Sequence, residues 1–399
     1  MKALGCMVFT GSATIGILNN GIEVEKVLEI SDDIVKQNAK HFIHNYPHVP
    51  IIVPSTWENE DYLKRLKNEN YDIMYGNPPC SSLSALNRNA RVDGPNNVHF
   101  FRYFNVVDKI EPKTFIIENA PTLLKLGKPI LNKMVDLLGD RYTFTLIRDF
   151  AMNHDVAMKR QRTFIIGWRR DVFEDTIPII EVHKSHKVVK DTIGDLYNEE
   201  IGISKINNFE LVPERSCTDV EFLIPKIPTN RSINYEICLN YEKYENLLPE
   251  KYKKSIQNML YKVKNGKRFW DKSPARVAED KLFPSMASVV ELIHPVHNRQ
   301  LTIREYARIM GYPDSFEFVE CETPIIQCIS QGVPVKYFEW ISGEVKRCLE
   351  DKNSNAINGT DVVYQHHQSM FAQGFDRKEF KNTEDITVLN KEKRYKLEV

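Results

Sequence analysis

In the stretch IMYGNPPCSSLS a cysteine follows an apolar run and two consecutive prolines, Pro78 and Pro79. Proline fixes φ, so the backbone sets where the Cys80 thiol points. Such a thiol is either a buried apolar group, as free cysteine commonly is, or a nucleophile. Other segments bear on the choice. FIIENAP places Glu118 and Asn119 at the tip of a later strand, and a carboxyl among apolar neighbours holds or shares a proton readily. MKRQRTFIIG begins a further strand with Arg160 and Arg162 two residues apart, a spacing that puts both on one strand face. Cations beside a thiol favour the thiolate and also bind phosphate.

A second group lies near the start of the chain. FTGSATIG sets Phe9, Gly11 and Gly16 in a strand, turn and helix, and Glu29 ends the following strand. An acidic residue there commonly bonds the ribose hydroxyls of a nucleoside cofactor.

The elements that must position these residues follow from hydrophobic periodicity. Short apolar segments, ALGCMVF, VEKVLEI, YDIMYG, TFIIEN, YTFTLI and TFIIGW, alternate with helical stretches such as DDIVKQNAKHFIHNY and FFRYFNVVDKI. Strands alternating with helices imply an α/β fold with a mostly parallel sheet and ligand contacts at the carboxyl ends of its strands. The aromatic run at 100–104 has helical spacing and reads as core. From about residue 175 to 290 the chain is irregular and polar. Within it residues 241–272 hold nine basic side chains against four acidic ones, so an inserted second domain is expected. The segments LTIREYARIMGYPDSFEF and VKYFEWISGEVKRCL return to helical patterning. The last fifty residues are polar enough to read as a mobile tail, with His366 and His367 in a solvated segment and no metal site.

Composition narrows the function classes. The 399 residues, 42% hydrophobic, can bury a large core, and Lys+Arg and Asp+Glu are both 54. A polyanionic partner must therefore be met by local segregation of charge. Seven cysteines without a CxxC pair argue against a disulfide framework or cysteine zinc site. There is no signal-peptide pattern and no apolar run of the roughly 18 residues that span a bilayer. The expected setting is the cytoplasm or nucleoid.

Cys80 in PPC, Glu118 in ENA, the RQR before a strand, and RQLTIREYARIMGYPDSF together resemble the DNA (cytosine-5) methyltransferases. The likeness implies a Rossmann-like domain that uses S-adenosylmethionine and adds a methyl group to carbon 5 of a flipped cytosine in double-stranded DNA. It implies that Cys80 attacks carbon 6, Glu118 binds ring nitrogen 3 and the exocyclic amine, Arg162 meets the base's carbonyl edge, and Arg160 orients the site and meets a phosphate. Residues 81–97 become a lid over the base. The cofactor falls to Phe9, Gly11, Ala13, Thr14, Glu29, Ile30, Pro79, His99 and Val333. The domains are then 1–175 (catalytic), 176–289 (target recognition), 290–350 (return to the catalytic domain) and 351–399 (tail). A monomer with a cognate restriction endonuclease, or a phage or orphan role, would suit the family.

The chain also departs from the family's pattern at Thr14, His99 and Val333. These departures leave room for a carboxylated S-adenosylmethionine, with a protonated His99 meeting its extra charge. An RNA-modifying relative using the same cysteine and a catalytically silent DNA-binding homologue are the remaining readings.

Overall fold

The computed structural model describes residues 1–79, 94–182, 185–211, 220–267, 271, 273–284, 286, 291–351, 355–367 and 384–389. The apolar segments form seven strands: β1 (Lys2–Cys6), β2 (Glu23–Leu28), β3 (Ile51–Ile52), β4 (Ile73–Gly76), β5 (Thr114–Asn119), β6 (Tyr142–Phe150) and β7 (Gln161–Arg169). They lie in one sheet in the order β6-β7-β5-β4-β1-β2-β3. From β5 to β3 every pairing is parallel, whereas β7 runs antiparallel to both its neighbours. The sheet is thus mixed and mostly parallel.

Strand alternation feeds two cores. Phe115 and Ile117 of β5 join one with Leu4, Met74 and Ile165, while Ile116 joins the other with Ala3, Tyr75 and Ile166, as expected of a sheet covered on both faces. The aromatic run packs as core: Phe100, Tyr103 and Phe104 are buried in the helix Val98–Ile110.

Helix α1 (Ser12–Asn19) lies against the helix Val335–Glu350, and the approach is close. A Cβ on Gly16 would fall 2.7 Å from the Glu339 backbone nitrogen.

The described parts of the polar carboxy-terminal segment are not a mobile tail. Val362–His367 pairs parallel with β6, and Glu384–Leu389 pairs antiparallel outside it. In Val362–His367, polar side chains meet groups inside the protein. Gln365 donates to the Ile180 carbonyl (3.1 Å) and accepts from the Ile180 N–H (3.2 Å). His367, expected in a solvated segment, is buried with Nδ1 3.2 Å from Asp149. Burial opposes ionisation of Asp149, but His154 and then His367 outweigh it and hold its carboxyl well below the usual range.

Residues 177–211, expected within the inserted domain, supply Ile177, Ile180, Val189, Leu196 and Phe209 to the main core. A separate small core gathers Val220, Leu223, Ile233, Ile237, Tyr244, Ile256, Leu260 and Ile293.

Candidate active site

Parallel strands present their carboxyl ends at one edge of the sheet, and β7, running the other way, brings its amino end to the same edge. The register sets Asn119 opposite Thr163 and Glu118 opposite Phe164. Arg162 therefore reaches Glu118: its Nε is 2.7 Å from Oε1, a charge contact at a carboxylate that is only 6% exposed. The other oxygen, Oε2, accepts from Asn77 Nδ2 at 2.6 Å.

The segment leading into Cys80 is tied down by the same neighbours. The Asn77 N–H donates to the Met7 carbonyl (3.3 Å) and Asn119 Nδ2 to the Pro78 carbonyl (2.9 Å). Sequence reasoning gave Asn77 and Asn119 no role, although they stand inside the NPPC and ENA motifs. Their amides are what join the proline loop to the carboxylate. Cys80 and residues 81–93 of the expected lid lie outside the described residues; Pro95–Asn97 form a short helical turn.

Arg160 turns into the protein. Its guanidinium is buried and donates to the carbonyls of Ser330 (3.0 Å) and Gly332 (2.8 Å). That anchors the loop before Val335–Glu350. The expected phosphate contact does not match this placement, because the guanidinium is spent on backbone carbonyls inside the protein.

At the ends of β1 and β2, Glu29 is fully buried and its Oε1 accepts from the N–H groups of Val8 (2.9 Å) and Phe9 (2.8 Å). Oε2 has only a 3.4 Å contact from the Ile30 N–H, so it keeps acceptor capacity of the kind a ribose diol requires. Burial pushes the Glu29 carboxyl up to about 7 against the pull of those backbone donors. Trp57, which the sequence reading passed over, donates its indole N–H to the Glu29 carbonyl at 2.8 Å. Phe9 adopts φ 52° and Gly11 φ 88°, both left-handed. At Gly11 a Cβ would also lie 2.3 Å from the Phe42 ring, so glycine is required there by packing as well as by conformation.

The three departures have different surroundings. Thr14 is buried and its hydroxyl accepts from Tyr75 OH at 2.8 Å, and Ala13 beside it is buried too. Val333 is 1% exposed and part of the main core. Burial pushes His99 below its usual value, and the Arg102 guanidinium adds to this against a smaller opposite pull from Glu58. A neutral His99 offers no positive charge, and Arg102 itself is engaged by Glu58 (2.6 Å). His99 therefore does not supply the positive charge expected to meet a carboxylated cofactor.

An α/β enzyme built this way does its chemistry where the strands end, and here that edge carries groups suited to a nucleobase and a nucleoside cofactor. The chain belongs to the C-5 cytosine-specific DNA methylase family, whose model matches residues 11–347. It is similar to type II methyltransferase M.NgoPII of Neisseria gonorrhoeae, 23% identical over 375 residues covering 88% of this chain and 96% of the relative. It is similar also to M.Sau96I of Staphylococcus aureus, 26% identical over 86% of this chain and 75% of the relative. Among solved structures, a prophage-encoded protein of E. coli matches with a TM-score of 0.59 at 21% identity, covering 88% of this chain and 100% of that one. A methyltransferase of Entamoeba histolytica matches with a TM-score of 0.54 at 13% identity, covering 89% and 99%. These two likenesses concern the fold alone. The activity is transfer of a methyl group to carbon 5 of cytosine in DNA, and the family implies dependence on S-adenosylmethionine. No helix among the described residues is long and apolar enough to cross a membrane.

Proposed function

We propose that Cys80 is the nucleophile, that Glu118 and Arg162 hold the base, and that Phe9, Gly11, Glu29, Ile30 and Pro79 line the cofactor's seat. The observation that carries this is the buried Glu118 carboxylate, fixed by Asn77 on one oxygen and Arg162 on the other beside the loop that leads into Cys80. Cytosine's carbon 5 is a poor nucleophile. Addition of the Cys80 thiolate to carbon 6 moves electron density through the ring, and carbon 5 then behaves as an enamine carbon. Glu118, bonded at ring nitrogen 3 and the exocyclic amine, stabilises the charge that shifts there. Arg162 keeps that carboxylate aimed and meets the base's carbonyl edge. The methyl group comes from S-adenosylmethionine, whose ribose hydroxyls would bond the free oxygen of Glu29. Loss of the proton at carbon 5 and departure of the thiolate complete the exchange.

The target base must leave the duplex to reach this edge, at a cost of a few kcal/mol. We assign reading of the target to the unit with its own small core, within 176–289, and the return to the catalytic body to 290–350. Ala13, Thr14, His99 and Val333 extend the cofactor's seat. The proposal extends to a monomer acting in the cytoplasm on double-stranded DNA, and the type II names of the relatives favour a role beside a cognate restriction endonuclease.

The decisive experiment is trapping on DNA whose target cytosine is 5-fluorinated. Wild type should form a denaturation-resistant complex and Cys80→Ser none, while DNA binding persists. Methyl transfer by Cys80→Ser at the wild-type rate would end the assignment.

A further inference from the structure

Three groups outside the proposed catalytic edge converge around the start of the helix Ile325–Gln331: a ring nitrogen of His41, Cys321 Sγ and Cys328 Sγ, all within 4.8 Å of one another. Both thiols point at one carbonyl, that of Thr323, at 3.0 Å from Cys321 and 3.8 Å from Cys328. Two chemistries suit such a cluster, a soft metal ion and a dithiol pair, and the imidazole decides between them. His41 Nδ1 accepts a hydrogen bond from the Val319 N–H at 3.2 Å. Burial, then Lys40 and His44, pushes the ring down to about 4, so it is neutral and its single proton sits on Nε2. That N–H faces Cys321 Sγ at 3.4 Å. A histidine holding a metal through Nε2 needs that nitrogen bare and normally donates from the other, the reverse of what Val319 imposes.

We propose that Cys321 and Cys328 form a reversible disulfide in response to hydrogen peroxide, and that the bond loosens the cofactor loop. Among the described cysteines Cys321 is the one that is not buried, and the His41 N–H stabilises the charge that develops on its sulfur as the proton leaves. The Cys321 thiolate attacks a peroxide oxygen, the O–O bond breaks, and water departs to leave a sulfenic acid. The Cys328 thiol attacks that sulfur, the S–S bond forms, the S–O bond breaks, and a second water departs. Two thiols lose two electrons and the peroxide becomes two waters.

The consequence runs through the backbone of the same helix. The Cys328 carbonyl accepts from Thr10 Oγ1 at 2.9 Å, in the turn between Phe9 and Gly11. Two residues on, the Ser330 carbonyl holds Arg160. Drawing Cys328 towards Cys321 pulls its carbonyl from Thr10. This second half rests on the cofactor seat proposed above; formation of the bond does not.

The full-length chain, reduced or treated with hydrogen peroxide, is alkylated, and the tryptic peptide spanning 309–336 is weighed. Oxidised wild type should give this peptide two hydrogens lighter and unalkylated, restored by dithiothreitol. Neither Cys328→Ser nor Cys321→Ser should do so. S-adenosylmethionine should bind several-fold more weakly to the oxidised wild type, while Cys328→Ser keeps its affinity. Alkylation of both thiols after peroxide, or stoichiometric zinc that shields them in the purified protein, overturns the dithiol assignment. A disulfide that forms and leaves cofactor affinity unchanged overturns the coupling through Thr10.

Discussion

Two arginines two residues apart end in opposite roles, because strand alternation begins only with Gln161. Arg162 lies inside β7 and faces Glu118, whereas Arg160 precedes the strand and its side chain turns into the protein. Spacing alone assigned both to one face, which is why the inward turn was not legible. Removing the guanidinium should therefore act on stability. Arg160→Met leaves the Ser330 and Gly332 carbonyls without this donor and should cost about 3 kcal/mol. Thermal melting should show the loss while the salt dependence of DNA binding keeps its slope; a flatter slope would restore the phosphate contact. Glu29 makes a different prediction. Its carboxyl is pushed up to about 7, and ribose hydroxyls bond the ionised form better, so binding favours loss of the proton. S-adenosylmethionine should bind more tightly as pH rises from 6 to 8, by up to about tenfold, with protons released on binding. Titration calorimetry in two buffers of different ionisation enthalpy measures this, and Glu29→Gln should flatten the profile.

Among the elements, the basic helix Glu250–Lys264 shows how far a charge count can be read. Lys253 pairs with Glu250 at 2.7 Å, so it is not free for phosphate, and Arg268 lies outside the described residues. Lys254, Lys264 and Lys267 are exposed. Lys267 also lies over the exposed Tyr261 ring at 5.1 Å. Replacing these three by alanine should weaken binding to all DNA sequences and reduce the salt slope by about 0.9 for each phosphate that the variant no longer neutralises. Sequence preference should survive, as phosphate contacts carry no base information. Electrophoretic mobility at several salt concentrations reads both; an unchanged slope would make this face an ordinary solvated one. The carboxy-terminal strand was illegible for the opposite reason. In VVYQHH the polar residues suggested solvent, and only their partners Ile180 and Asp149, far off in sequence, make burial tolerable. The catalytic strands carried no such ambiguity, since their apolar runs sit directly before the residues that do chemistry.

At the scale of the whole molecule, alternating strands and helices disclosed the α/β body, but the limits of the second unit depended on contacts no local pattern records. Residues 177–211 look as irregular in sequence as the rest of the stretch up to 290, yet their Ile and Val side chains complete the main core. The independent small core begins at Val220. The Arg276 side chain links it to the returning segment. Arg276 is buried and donates to the carbonyls of Ile224 and Ile227 on the small core's side. It also donates to the carbonyls of His294 and His297 and to Asn298 Oδ1 in the return. A lysine there has neither the fork nor the number of donors to satisfy these acceptors. Arg276→Lys should therefore cost about 3 kcal/mol, felt locally. Limited proteolysis should cut the variant within 220–264 while the 1–211 body resists. DNA affinity should fall well over tenfold, and S-adenosylmethionine affinity should stay at the wild-type value, because Glu29 and the Phe9 loop belong to the main sheet, outside the small core. If cofactor affinity fell in step with DNA affinity, the small core and the sheet body would be one cooperative unit, and assigning target reading to a separable part of the chain would fail.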